Sequence, residues 1–340
     1  MSEIAIVGAG AWGTALAIVL GRTETHRVRL WAHERDVCES VAQRRVNEKF
    51  LPGQIVPVNV TATNDLSEAL ENAGIVVSVM PSQHCRRLFE QMRPHLGAET
   101  VIVSATKGLE ENSLLRMTEV IAQVIKGGIG RPLRIGALSG PSFALEAARG
   151  DPTAIAFASQ DPELAGTVQK QFSHASFRVY TNDDPTGVEL GGALKNTIAI
   201  AAGVAAGLGL GHNSVAALIT RGLAEMTRLV VACGGKADTM AGLAGLGDLV
   251  LTCTGGLSRN RTVGVELGRG RELQEILAGM HGMVAEGVFT TTAAVGLARA
   301  RGVEMPITEQ MHAILNQGKA PREAIYELMT RSGKSETQRT

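Results

Sequence analysis

Residues 4–16 read Ile4-Ala-Ile-Val-Gly8-Ala-Gly10-Ala-Trp12-Gly13-Thr-Ala-Leu16. An apolar run ends in glycines spaced G-x-G-x-x-G, and an Ala/Leu-rich run follows. This predicts a strand, a tight turn and a helix start. Gly8 permits the turn, Gly10 lets backbone approach a pyrophosphate, and Gly13 lets the helix pack against the strand. The helix N-terminus then presents unpaired N–H groups and a partial positive charge to phosphates. A lone G-x-G-x-x-G can also be a structural turn. Its position between a strand and a helix favours dinucleotide binding.

The chain in order extends this start. Val28–Trp31 predicts a second strand, running out through Ala32-His33-Glu34-Arg35. About 20 residues past the third glycine is where a cofactor's adenine ribose is gripped. His33 and Arg35 suit a 2′-phosphate, Glu34 a 2′-hydroxyl, and a plain solvated strand end competes with both. The balance favours NADPH, with NADH tolerated. Asn64–Glu68 reads as a helix start with early acids. Gly74–Met80 and Val101–Ala105 are near-continuous apolar runs, as expected for parallel strands covered on both faces. Leu133–Leu138, Thr153–Ser159 and Phe177–Thr181 predict further strands, with a helix over Pro162–Ser173. Alternating strands and helices predict an α/β, doubly wound, Rossmann-type sheet.

After Asp183-Asp184-Pro185 strand signals vanish. Helical periodicity marks Thr186–Gly209, Ser214–Cys233, Asp248–Gly255, Arg259–Gly268, Leu273–Met280, Thr290–Arg301 and Thr308–Leu315. The expected division is a dinucleotide-binding unit over 1–185, an all-α C-terminal unit over 186–331, and a polar tail over 332–340. A length of 340 residues agrees with two domains.

Charge and composition exclude other classes. Basic and acidic residues balance at 33 each, which argues against a sequence-independent nucleic-acid binder or a polybasic membrane binder. Any anion site must therefore be local. Aromatic content of 3% argues against base-stacking platforms. Cys38, Cys85, Cys233 and Cys253 are far apart, which fits reduced thiols and a cytoplasmic setting. The N-terminus carries no signal-like segment. The uncharged run Asn196–Thr220 reads as a buried helix and a turn, not as an integral membrane segment. His212, His281 and the other histidines lack metal-ligand spacing, so no metal site is expected.

In open α/β sheets ligands sit beyond the carboxyl ends of strands. Met80-Pro81-Ser82, Lys107 and Gly140-Pro141-Ser142 occupy such ends. Lys195 is the sharpest single residue, the only cation of a small-residue helix that is otherwise uncharged after Glu189. It must snorkel, pair or lose its proton, and desolvation lowers an ammonium pKa. A lysine tuned toward neutrality can exchange a proton with a carbonyl or alcohol oxygen. Asp248 opens a helix after Gly245-Leu-Gly247, where it can serve as an N-cap or as the partner of Lys195. Ser258-Arg259-Asn260-Arg261 places hydroxyl, guanidinium and amide donors at another helix start, a pocket suited to phosphate or a capped helix with exposed arginines.

Taken together, Gly8–Ala15, Asn47-Glu-Lys-Phe-Leu-Pro-Gly53, Ser104-Ala-Thr-Lys-Gly108, Ser139–Ser142, Glu189–Asn196, Gly245–Asp248 and Ser258–Arg261 make the chain resemble the NAD(P)-dependent sn-glycerol-3-phosphate dehydrogenases. The likeness spans essentially the whole chain. It implies reversible reduction of dihydroxyacetone phosphate to sn-glycerol 3-phosphate, the backbone precursor of glycerophospholipids. It implies Lys195 as proton donor and acceptor at the C2 oxygen, assisted by Lys107 and Asp248. Gly140, Ser142, Ser258, Arg259 and Asn260 are implied to hold substrate, the last three around its phosphate. Ala11, Trp12, His33, Lys107, Ala144, Arg259, Val284 and Glu286 are implied to contact the cofactor. Ala11 stands where relatives often carry Ser, and Phe50 where Tyr is common, so each loses a side-chain contact. A homodimer joined through the helical unit is also implied. Two rivals stand beside this reading: another two-domain reductase such as a β-hydroxyacid dehydrogenase, and a non-catalytic dinucleotide-sensing regulator.

Overall fold

The computed structural model describes residues 2–126, 133–280, 283–333 and 335–336. His281 and most of the tail expected over 332–340 lie outside them. The strands are β1 (Ser2–Val7), β2 (His26–Trp31), β3 (Val46–Asn47), β4 (Leu51–Ile55), β5 (Val60–Thr63), β6 (Ile75–Ser78), β7 (Val101–Ser104), β8 (Ile135–Ser139), β9 (Thr153–Ala158) and β10 (Phe177–Asn182). Helices of the sheet half are α1 (Ala11–Gly21), α2 (Arg35–Arg44), α3 (Leu66–Leu70), α4 (Cys85–Met92), α5 (Met117–Ile125), α6 (Ala144–Arg149) and α7 (Pro162–Phe172). The helical half holds α8 (Pro185–Gly207), α9 (His212–Ala232), α10 (Ala237–Met240), α11 (Asp248–Thr254), α12 (Arg259–Gly268), α13 (Leu273–Ala278), α14 (Glu286–Ala300), α15 (Pro306–Gln317) and α16 (Pro321–Met329).

The main sheet runs β10-β9-β8-β7-β6-β1-β2-β5. The apolar strands are buried on both faces for a visible reason. Along β1, Ile4 and Ile6 enter one core, while Ala5 and Val7 enter the core on the opposite face. The order reverses at β1, which has β2 on one side and β6 on the other. That switch point opens a crevice at the carboxyl edge. The loops after β1, β6, β7 and β8 all emerge there.

The sheet is not parallel throughout. β8 and β9 pair antiparallel, with Leu138 opposite Phe157. Apolar periodicity is the same for either direction, so this reversal is invisible in the pattern. The edge strand β5 and the β3–β4 hairpin are also short, polar additions that the apolar runs do not announce.

The helical half is organised by α8. Nearly all of it is buried, as befits a helix apolar all round. It is long and apolar enough to cross a membrane, but 89% of its apolar window is buried within the protein. Glycines bring α12 against it: a Cβ on Gly203 would stand 2.1 Å from the Arg261 carbonyl oxygen, and one on Gly264 2.0 Å from that of Ile200. α14 begins at Glu286, four residues before the predicted Thr290, and α9 begins at His212 instead of Ser214.

Candidate active site

The glycine loop has the division of labour its spacing predicts. Gly8 takes φ +120°, and a Cβ there would lie 2.6 Å from the Val79 carbonyl oxygen. A Cβ on Gly13 would lie 1.8 Å from the Gly8 carbonyl oxygen, so α1 packs directly on the turn. Around Gly10 a Cβ would meet nothing within 4 Å. Its bare backbone therefore borders open space, as a pyrophosphate site requires. Ala11 and Trp12 open α1, and the Trp12 Nε1–H is buried with no partner among the described residues. These features fit a dinucleotide. Asn47 braces the loop from below: its Nδ2 donates to the Ala9 carbonyl and to Thr14 Oγ1, both at 2.8 Å. His33 is exposed beyond β2, its ring 5.9 Å from that of Trp31. Glu34 is the N-cap position of α2 and Arg35 its first residue. Both His33 and Arg35 are thus open to an incoming ligand, while Glu34 is half-buried.

Across the crevice, α8 and α11 supply the charged centre. Lys195 Nζ donates to Asp248 Oδ1 at 2.5 Å and to Thr252 Oγ1 at 2.7 Å. Lys107 Nζ, from the loop after β7, donates to Asp248 Oδ2 at 2.8 Å. One carboxylate therefore grips two ammonium groups, one from each half of the molecule. Lys195 is 6% exposed and Asp248 1% exposed. The lysine pairs; it does not snorkel. Asp248 is not the N-cap of its helix: Gly247 holds that position and Asp248 is the first helical residue. A π-helical turn over Leu243–Gly247 immediately precedes it. Burial pushes the Lys195 ammonium down to about 8, Asp248 opposing the shift and Lys107 adding to it. Thr252, one turn after Asp248 on the same face, was not singled out by sequence reasoning. The i, i+4 spacing to a helical aspartate is the signal that could have found it.

The neighbouring loops converge on this centre. Lys107 Nζ also approaches the Gly140 carbonyl oxygen at 3.5 Å, and Ser142 Oγ donates to the same oxygen at 2.9 Å. Gly140 takes φ +150°, and a Cβ there would lie 2.9 Å from Ile155 Cα. Ala144 opens α6 just beyond. A Cβ on Gly255 would strike the Phe143 ring at 2.3 Å, so the loop after β8 packs onto the chain leading to Ser258. Ser258 Oγ accepts from the Arg261 backbone N–H at 3.2 Å and caps α12. Arg259 is exposed, with its charge facing that of Glu286. Asn260 is buried and bonded within the protein, to Asn196 and to the Gly287 backbone. Val284 precedes the start of α14, where Glu286 Oε2 accepts from Ser82 Oγ at 2.9 Å. Burial raises the Glu286 carboxyl, and Ser82 opposes the rise.

Comparisons with known proteins identify the family of the chain. The family model for the NAD-dependent glycerol-3-phosphate dehydrogenase N-terminus matches residues 3–165, and that for the C-terminus residues 184–326. A glycerol-3-phosphate dehydrogenase (NAD(P)+) of Koribacter versatilis is 66% identical over 336 residues, 99% of each chain. That of Acidobacterium capsulatum is 57% identical, covering 99% of this chain and 100% of its own. The crystal structure of glycerol-3-phosphate dehydrogenase from Coxiella burnetii superposes with a TM-score of 0.92 at 42% identity, over 97% of this chain and 99% of that one. A glycine loop facing a lysine–aspartate–lysine centre, in a chain matched over both halves, belongs to the NAD(P)-dependent glycerol-3-phosphate dehydrogenase family.

Proposed function

We propose that the chain reduces dihydroxyacetone phosphate to sn-glycerol 3-phosphate, reversibly, with NADPH favoured and NADH tolerated. The observation that carries the mechanism is the single Asp248 carboxylate holding Lys195 and Lys107 at 2.5 and 2.8 Å. A bound nicotinamide supplies the hydride for C2. The substrate oxygen at C2 gains negative charge as it is reduced. Two ammonium groups against one carboxylate leave a net positive centre to meet that charge. Preorganised donors of this kind are worth about 3 kcal/mol each in a water-poor site. Lys195 gives its proton to the oxygen, and its lowered pKa eases the transfer. Asp248 and Thr252 hold its amine in place before and after.

Ser258, Arg259 and Asn260 receive the phosphate, with Gly140 and Ser142 lining the carbon chain. The Gly8–Gly13 loop holds the pyrophosphate, with Ala11, Trp12, Lys107, Ala144, Arg259, Val284 and Glu286 along the cofactor. His33 and Arg35 take the 2′-phosphate. The division into a dinucleotide unit over 1–185, a helical unit over 186–331 and a tail over 332–340 belongs to the same reading. A homodimer through the helical unit is supported by apolar side chains left exposed there, among them Val231, Val250 and Phe289. A cytoplasmic location is supported by the unpaired cysteines.

The test is NADPH consumption with dihydroxyacetone phosphate beside dihydroxyacetone and a panel of 2-keto and 3-keto acids. Turnover restricted to the phosphorylated ketone supports the proposal. Turnover with a keto acid and none with dihydroxyacetone phosphate overturns it.

A further inference from the structure

We infer that Asn260 is a positioning residue that joins the proton-donor, phosphate-binding and cofactor-facing segments, so that phosphate and dinucleotide bind cooperatively. The inference rests on the functional reading above and adds to it a role for the interior of the site. An asparagine amide has one carbonyl acceptor and two N–H donors. The Gly287 backbone N–H can only donate, so the group facing it at 2.9 Å must be the Asn260 carbonyl oxygen. This fixes the amide's orientation. Its Nδ2 then donates to Asn196 Oδ1 at 2.9 Å. Asn196 is 5% exposed and Asn260 9% exposed. Among the described residues the other N–H of Asn260 meets no acceptor, which leaves it for a ligand.

The three residues so joined belong to different helices. Asn196 follows Lys195 on α8, Asn260 follows Arg259 on α12, and Gly287 follows Glu286 on α14. The start of α14 has Ala285 at its N-cap and no capping side chain of its own. Asn260 supplies the missing acceptor from 27 residues away. The junction is also sterically closed: a Cβ on Gly287 would stand 2.8 Å from both the Asn196 carbonyl oxygen and Asn260 Oδ1. The same turn of α14 is tied to the sheet half through Glu286 and Ser82.

A phosphate held by the remaining Asn260 donor therefore orders the turn that meets the cofactor, and a cofactor on that turn orders the amide that meets the phosphate. Such coupling is reciprocal. It needs no large movement, because the first ligand bears the ordering that the second then finds complete.

The experiment titrates NADPH by its fluorescence with and without saturating sn-glycerol 3-phosphate, a pair that cannot turn over. In the wild type the phosphoester tightens NADPH binding by at least about fivefold. In Asn260→Ala this factor falls to within about twofold of one, and NADPH alone also binds more weakly than to wild type, because the start of α14 loses its acceptor. Asn260→Asp keeps an oxygen for Gly287, and Asn196 can turn its own amino group to the other oxygen. With no N–H to offer a phosphate it weakens sn-glycerol 3-phosphate binding and loses the coupling, while NADPH alone binds as to wild type because the Gly287 contact is kept; coupling retained in this variant overturns the inference. Asn260→Leu, close in shape, replaces the alanine variant if that does not fold. Full coupling in the alanine or leucine variant with only weaker phosphoester binding overturns the inference, and so does a wild type without coupling. A wild type that does not consume NADPH with dihydroxyacetone phosphate instead contradicts the functional reading.

Discussion

At the residue scale, the chemistry depends on how Asp248 is shared. Its buried carboxylate faces two lysines, so removing either changes the other. Protonated Lys195 is the form that donates during reduction. The reductive kcat/KM therefore falls as pH rises through about 8, and the oxidative kcat/KM rises through the same range. Lys107 lowers the Lys195 pKa through its like charge. In Lys107→Met the reductive limb moves to higher pH, together with a lower kcat; pH–rate profiles of both enzymes check the shift. Arg259→Ala raises KM for the phosphorylated ketone and narrows its advantage over dihydroxyacetone. Arg259→Lys recovers little of it, because an ammonium lacks the planar fork. Unchanged discrimination in the alanine variant removes Arg259 from the anion pocket. Lys195 was legible because a lone cation in an apolar helix must be explained. Asp248 was ambiguous, because a helix-opening aspartate more often caps; only its contacts with Lys195 and Lys107, distant in sequence, show where its carboxylate points.

At the element scale, two helices set the spacing between the proton donor and the phosphate loop. α8 carries Lys195, α12 starts at the Ser258 loop, and they touch through Gly203, Gly207, Gly264 and Gly268. Gly264→Val forces them apart against backbone, which costs about 3 kcal/mol or more; urea midpoints measure it, and an unperturbed midpoint contradicts the packing. α15 offers a pH test. Glu225, 2% exposed, accepts from the Ile307 and Thr308 backbone N–H groups at 2.7 and 3.2 Å. Burial pushes its carboxyl from 4.5 up to about 7, against those bonds and the nearby Arg228. Between those values the folded chain holds a proton that the unfolded chain has released, so stability falls as pH rises through the window. The contribution is about 3 kcal/mol at most. Glu225→Gln removes that slope, and unfolding measured across the window shows wild type losing stability relative to the variant. Element type was legible wherever apolar period ran long, as in β1, β6, β7 and α8. Strand direction was not: β9 reverses, yet its alternation is that of a parallel strand. The short strand β5 depends on β2, a neighbour distant in sequence, and the β3–β4 hairpin is too short to show an apolar period.

At the scale of the whole molecule, the halves are clasped by partly buried polar pairs. Lys107 meets Asp248, Ser82 meets Glu286, and Arg116 meets Glu189 at 2.6 Å. Glu189 also accepts from the Thr118 backbone and hydroxyl at the start of α5. Burial raises its carboxyl, and Arg116 and Thr118 oppose the rise. Each clasp joins residues far apart in sequence: 141 for Lys107 and Asp248, 204 for Ser82 and Glu286, and 73 for Arg116 and Glu189. Motif reading named Asp248 as a partner for Lys195 with Lys107 assisting, but it did not single out Arg116 or join Ser82 to Glu286, because nothing local in those segments names a partner. The pairing is what turns a dinucleotide loop and a lysine helix into one centre. The most direct test of that centre is the steady-state kcat for NADPH consumption with dihydroxyacetone phosphate in Lys195→Ala, measured with its NADPH dissociation constant. A loss of about 10² to 10⁴ in kcat, with NADPH binding within about threefold of wild type, is the predicted result. Turnover near the wild-type rate contradicts Lys195 as the proton donor.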